Sequence, residues 1–191
     1  MNNLNFRSAQ FPDIPQLVAL INKSYREQQD RSWTTELDWV EGPRITEHQL
    51  EEQLQLRSST FLVVETSSSR LIACIGLTFE NNQVEIGTFC TDPQVQNMRV
   101  GRSVLEHAEQ YALKENPHLT SAVMYVLDVR FELIAYYERR GYMKTGNEQP
   151  YPVEANVGVP KVSIKLVEMK KDLRGGLFSF RLETRCNSLK A

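Results

Sequence analysis

The stretch TDPQVQNMRVGRSVLEHAEQYA, Thr91 to Ala112, decides how the whole chain is read. It runs from a strand end through a Pro93-containing loop into a long amphipathic helix. The loop carries Gln96, Asn97, Met98, Arg99, Val100, Gly101, Arg102 and Ser103. A helix start presents unpaired N–H groups and a partial positive charge, which is where phosphate binds without special side chains. A glycine there leaves the backbone open to a ligand. Gly101 stands at that point, and Arg99 stands where a second glycine is expected.

Outward from this loop the periodicity predicts a regular succession of elements. Upstream, LNFRSA reads as a first strand, and Asp13 and Pro15 open a helix with Ile14, Leu17, Val18, Ile21 and Tyr25 on one face. A second helix begins at Thr46. STFLVVET, LIACIGLTFE and VEIGTFCTD read as three strands joined by tight turns. Downstream of the helix at Gly101, TSAVMYVLD is a strand, RFELIAYYERRG a helix stopped by Gly141, and VSIKLVEMK a last strand. The order βααβββαβαβ predicts an α/β fold with a mixed, mostly antiparallel central sheet and helices on both faces. The tail from residue 174 to 191 lies beyond it, as an extra strand or a mobile end.

Composition narrows the function. The 191 residues are 41% hydrophobic and 24% charged, with net charge −2, so a dedicated nucleic-acid surface is not expected. The apolar runs are strand-length, short of a membrane span. Cys74, Cys90 and Cys186 show no paired metal spacing, and His48, His107 and His118 have no partner at ligand spacing. No metal site is expected, and a reduced, cytoplasmic setting is the simplest reading.

The loop and a second motif together resemble the GNAT superfamily of acetyl-CoA-dependent N-acyltransferases. Its Gln/Arg-x-x-Gly-x-Gly/Ala signature is matched by Gln96 and Gly101, with Arg99 in the first glycine slot. AYYERRGY fits the family's Tyr-x-x-x-Gly-Phe/Tyr as Tyr137, Gly141 and Tyr142. The resemblance covers residues 1–173 as one acetyltransferase domain. It implies acetyl-CoA as cosubstrate, held by residues 96–103 and by the strand backbone at Phe89, Cys90 and Thr91. Arg99 either adds a cation for a CoA phosphate or narrows the cradle. Arg130 occupies a slot where the family often has an asparagine that bonds the pantetheine arm.

Acyl transfer to an amine needs a deprotonated amine, a stabilised oxyanion and a protonated leaving sulfur. Glu85 lies eleven residues before Gln96, the place of the general base in related histone acetyltransferases, with Asp128 as a spare. Strand alternation puts Glu85, Gly87, Phe89 and Thr91 on one face and Cys90 in the core. Tyr137 fits the position whose hydroxyl protonates the departing thiolate, and Tyr136 is expected to face away. The acceptor region is SWTTELDWVEGPR, where Trp33 and Trp39 could wall a pocket and Glu36, Asp38 and Glu41 could attract an amine. The expected activity is direct acetyl transfer to a primary amine of a small molecule or a peptide. The alternative is a non-catalytic acyl-CoA-binding module of the same fold. A homodimer is compatible with either.

Overall fold

The computed structural model describes residues 4–27, 35–96 and 98–174. Nine strands and four helices follow in chain order: β1 (Asn5–Ser8), α1 (Ile14–Arg26), β2 (Val40–Glu41), α2 (Glu47–Gln55), β3 (Ser59–Glu65), β4 (Leu71–Glu80), β5 (Gln83–Thr91), α3 (Val100–Glu115), β6 (Ser121–Leu127), α4 (Phe131–Glu138), β7 (Met143–Pro150), β8 (Val159–Pro160) and β9 (Lys165–Asp172). Seven strands form one sheet in the order β1-β3-β4-β5-β6-β9-β7, while β2 and β8 form a separate ribbon. Every neighbouring pair in the large sheet is antiparallel except β5 and β6.

The alternation of β3 explains why helices cover both faces. Leu62 and Val64 pack into a core with α3 and α4, whereas Phe61 and Val63 pack into a second core with α1 and α2. Thr46 caps α2 in a reciprocal pair with Gln49, its hydroxyl accepting from the Gln49 N–H at 3.2 Å. At α1 the expected Asp13 cap works differently. A short 3-10 turn precedes the helix, and the Asp13 carboxylate instead accepts from the Gln10 N–H and from Arg7.

The predicted order lacked three strands. β7 is exposed along its whole length, so it carries no apolar alternation to betray it. β2 and β8 are two residues each, too short for any pattern. The last strand is Lys165–Asp172, later than the VSIKLVEMK stretch suggested. Residues 175–191 and the tail's suggested strand lie outside the described residues; Arg174 is tied back through its guanidinium to the carbonyls of His118 and Leu119.

Two features open the sheet at its centre. β5 and β6 pair in parallel only from Gln83 with Ser121 to Glu85 with Val123. Beyond that the strands separate. On its other edge β5 pairs with β4 through a bulge: Gly76 faces Gly87, yet Cys74 faces Cys90, so one extra residue sits in β5. The bulge centres on Thr88, a β-branched residue held at φ +44°. That backbone is costly for such a side chain, and stored strain of this kind clusters at functional sites.

Candidate active site

The bulge redirects the side chains of β5 and corrects the simple alternation. Val84 and Ile86 belong to the core under α3, so Glu85 and Gly87 point to the opposite side. After Thr88 the phase shifts by one. Phe89 and Thr91 now face α3, within 3.8 Å and 3.7 Å of where a Cβ on Gly101 would lie, while Cys90 turns into the core under α1. Glu85 and Gly87 therefore do not share a face with Phe89 and Thr91. Cys90 is buried with its Sγ 3.5 Å from that of Cys74.

The gap between β5 and β6 forms a cleft of about 480 Å³ that reaches both faces of the sheet, from Tyr25 and Arg44 to Gly101 and Tyr136. Helix α1 supports the strained strand from one side. The Tyr25 hydroxyl donates to the Phe89 carbonyl at 2.9 Å, and the Ser24 hydroxyl donates to the Thr91 carbonyl at 3.3 Å. Burial raises the Tyr25 pKa well above its ordinary value, which keeps this hydroxyl a donor.

Glu85 lines the cleft. Burial, and secondarily the neighbouring Glu80 carboxylate, raise its pKa above the ordinary 4.5. A carboxylate shifted in this direction is better matched to accepting a proton near neutral pH. Tyr137 also lines the cleft, with 6% of its surface exposed, packed edge-on against Tyr136 and Tyr142. Burial pushes its hydroxyl pKa up, so it holds its proton firmly.

Tyr136 does not simply face away as expected. It lines this cleft and a second one, and its hydroxyl lies 3.5 Å from where a Gly101 Cβ would stand. The second cleft, about 470 Å³, adjoins the first at Thr91, Gly101 and Tyr136. Four arginines line it against one carboxylate, Glu132: Arg99 and Arg102 come from the loop and start of α3, Arg139 and Arg140 from the end of α4. The Arg140 guanidinium lies 3.4 Å from the Tyr136 ring centre, and its buried Nε has no hydrogen-bond partner among the described residues.

Arg99 caps α3 in the left-handed conformation, at φ +62°. That is the conformation glycine adopts freely and other residues adopt at a cost of about 1–2 kcal/mol. The missing glycine therefore shows as backbone strain, with the arginine side chain set beside the basic cleft. Gln96 and Val100 line the same cleft, Arg102 pairs with Glu106 at 2.7 Å, and Ser103 closes the first helical turn onto the Arg99 carbonyl. Met98 is 67% exposed and lines neither cleft; Asn97 lies outside the described residues.

The side of the cleft where the sequence places the acceptor is assembled from distant segments. Glu36 lines the cleft, but its carboxylate is held by Arg26 at 2.6 Å, with the two side chains only 13% and 7% exposed. Arg26 also donates to the carbonyls of Gly42 and Val157, both at 2.8 Å. Gly158 fits over this knot at φ +110°, where a Cβ would lie 2.6 Å from Val40 and 2.8 Å from the Glu41 carbonyl oxygen. Glu41 itself is exposed on β2 and does not line the cleft. Trp33 lies outside the described residues. Arg130, 3% exposed, lines the cleft, donates to the Thr35 carbonyl at 3.1 Å and stacks over Trp39. The spare base Asp128 accepts from the Lys165 N–H and does not line the cleft.

Sequence reasoning missed Tyr25, Arg44, Glu80 and Tyr151, which reach the cleft only through tertiary packing. The Arg139-Arg140 pair was legible as a basic run, but not as the partner of Arg99 and Arg102. Among the described residues no cluster of three or more His, Cys, Asp or Glu could hold a metal ion, and no helix is long and apolar enough to cross a membrane.

The architecture is shared widely among solved structures. The ribosomal-protein-S18-alanine N-acetyltransferase of Escherichia coli superposes with a TM-score of 0.65 at 15% identity, over 89% of this chain and 94% of that one. The spermidine N-acetyltransferase of Vibrio cholerae, solved in complex with CoA and spermine, gives a TM-score of 0.66 at 17% identity, over 91% and 97%. A GNAT-family acetyltransferase of Staphylococcus aureus gives 0.61 at 16% identity, over 89% and 99%. At these identities the likeness establishes the fold. No curated protein sequence matches the chain significantly. The sequence pattern of the acetyltransferase (GNAT) family matches residues 16–142, two motifs and the opened sheet included. The chain belongs to the acetyltransferase (GNAT) family.

Proposed function

We propose that the protein transfers an acetyl group directly from acetyl-CoA to a primary amine of a small molecule or peptide. The observation that carries this reading is the continuity of two chemically different clefts at Gly101. One is basic and open, suited to the phosphates of CoA; the other runs through the sheet beside the strained bulge and holds a half-buried carboxylate, Glu85.

Each component has a role in this reading. Arg99, Arg102, Arg139 and Arg140 meet the CoA phosphates, and the start of α3 adds its N–H groups. The pantetheine arm passes Gly101 and Tyr136 and runs along Phe89 to Thr91. The bulge aims backbone N–H groups at the thioester oxygen, where negative charge grows in the transition state. Glu85 takes the proton from the incoming ammonium, directly or through a water. Attack then forms the amide C–N bond and breaks the C–S bond. Tyr137 supplies a proton to the departing sulfur and regains one, through solvent, as the new amide nitrogen sheds its second proton. The Cys90 thiol is packed in the core, 1% exposed and against the Cys74 thiol, which favours direct transfer over an acyl-enzyme.

The test is amine-dependent release of free thiol from acetyl-CoA across a panel of small amines and peptide N-termini. Release that follows the amine supports the proposal. Tight CoA binding with no release for any amine supports instead the non-catalytic module, which the two arginine departures at 99 and 130 would otherwise leave open.

A further inference from the structure

The acceptor end of the cleft carries a cation that the transfer chemistry does not use. Arg44 lies just before α2 and lines the cleft. Its backbone is fixed: the Asn22 side-chain oxygen accepts from the Arg44 N–H at 2.7 Å and from the Ile45 N–H at 3.3 Å, while the Asn22 amide donates to the Ile45 carbonyl at 2.9 Å. Arg44 is half-buried, and its guanidinium sits 5.4 Å from the centre of the Tyr25 ring, the residue whose hydroxyl braces the bulge at Phe89. Glu36 is the acidic side chain on the same wall, and its carboxylate is engaged by Arg26 at 2.6 Å. Among the described residues no carboxylate forms an ion pair with Arg44.

A partly desolvated guanidinium without an anion is unfavourable, and a carboxylate on the ligand relieves it with a planar, two-point match. The same cleft also carries groups of the opposite sign. Glu80 and Glu85 line it, the pair suited to the amine. A polycation would meet Arg44 as a like charge, whereas a molecule with one amine and one carboxylate is complementary at both ends. We infer that the acceptor is a small amino acid-like molecule, its amine directed to Glu85 and its carboxylate read by Arg44. This rests on the acetyltransferase reading above.

The test compares common α-amino acids with their α-carboxamides as acceptors, reading kcat/KM from thiol release for the wild type, Arg44→Gln and Arg44→Lys. The wild type should favour the carboxylates by about tenfold or more. Arg44→Gln should bring the ratio close to one, and Arg44→Lys should keep part of it. A wild type indifferent to the carboxylate, or a preference that survives Arg44→Gln, overturns the inference. A parallel calorimetric titration uses N-acetylated amino acids and their carboxamides on the CoA-loaded protein. It reads the carboxylate without turnover, so failure of the acetyl transfer itself stays distinguishable. Tighter binding of the acids that is lost in Arg44→Gln supports the inference, and equal binding of acids and amides contradicts it.

Discussion

The two ends of the cleft are built in different ways. The basic end takes its four arginines from two short runs, residues 99–102 and 139–140, each contiguous in sequence and each placed by the start or end of one helix. The end proposed for the acceptor takes Tyr25 from α1, Glu36 and Arg44 from the segment around β2, Glu85 from β5 and Tyr151 from the stretch after β7. A ligand common to many reactions can be met by a local motif, because backbone N–H groups and a few cations suffice. A specific acceptor needs a wall shaped by distant segments, and here Arg26 ties that wall together through Glu36, Gly42 and Val157.

If this division is right, the largest effect on turnover comes from Glu85. Glu85→Gln should lower kcat roughly 10²–10³-fold at pH 7, with the deficit shrinking at high pH as the amine loses its own proton. The same change should raise stability. Burial lifts the folded-state pKa of Glu85 above 4.5, so the folded protein binds the proton more tightly than the unfolded chain does. The penalty of the charged form is absent at low pH and grows as pH rises through that raised pKa. Thermal melts should show Glu85→Gln more stable than the wild type at pH 7 and equal to it near pH 4. A variant that is slower and no more stable at pH 7 would remove burial from the explanation.

Next in size is the tyrosine pair. Tyr137→Phe should reduce kcat by roughly 10- to 100-fold with little change in CoA affinity, as expected of a lost proton donor. Tyr136→Phe should act on the other end, weakening CoA binding severalfold while leaving kcat nearly intact, because its hydroxyl stands at the Gly101 junction. Reversal of the two outcomes in steady-state kinetics would place the leaving sulfur nearer Tyr136.

Gly158→Ala attacks the acceptor wall alone. Both its φ of +110° and the close approach of Val40 and Glu41 forbid a Cβ. Stability should fall by about 2 kcal/mol or more, and the KM for the amine should rise, while CoA affinity stays within about twofold. A proportional loss of CoA affinity would mean the two ends are not separable.

The smallest effect concerns Arg99. Arg99→Gly relieves a left-handed arginine but loosens the unfolded chain, so a net gain of about 0.5 kcal/mol is expected in chemical denaturation. CoA affinity should nonetheless drop about fivefold with the lost cation. Unchanged affinity would show that Arg99 fills the slot without contributing a contact.

The same contrast explains what could be read before the structure. Gly101, Gln96 and Tyr137 were legible because they fall in two short motifs that resemble those of the GNAT family, and the helices and apolar strands follow from period. The Thr88 bulge does not: nothing in VEIGTFCTD marks where an extra residue enters, so the phase of Phe89 and Thr91 came out reversed. β7 has no apolar face to detect. Glu36 and Glu41 look equivalent as acidic residues five positions apart, and only Arg26 and the β2–β8 pairing separate the cleft-lining one from the exposed one.

The division itself is tested most directly by titrating CoA calorimetrically into the wild type, Gly101→Glu and Glu85→Gln. A Cβ at Gly101 meets the protein's own atoms only at 3.5 Å or beyond, so the Gly101→Glu fold should survive. Any loss then reports on the ligand. The account predicts at least about a tenfold loss of CoA affinity in Gly101→Glu, from charge and bulk at the phosphate cradle, and less than about a twofold change in Glu85→Gln. Unchanged affinity in a folded Gly101→Glu variant, or equal losses in both, would contradict it.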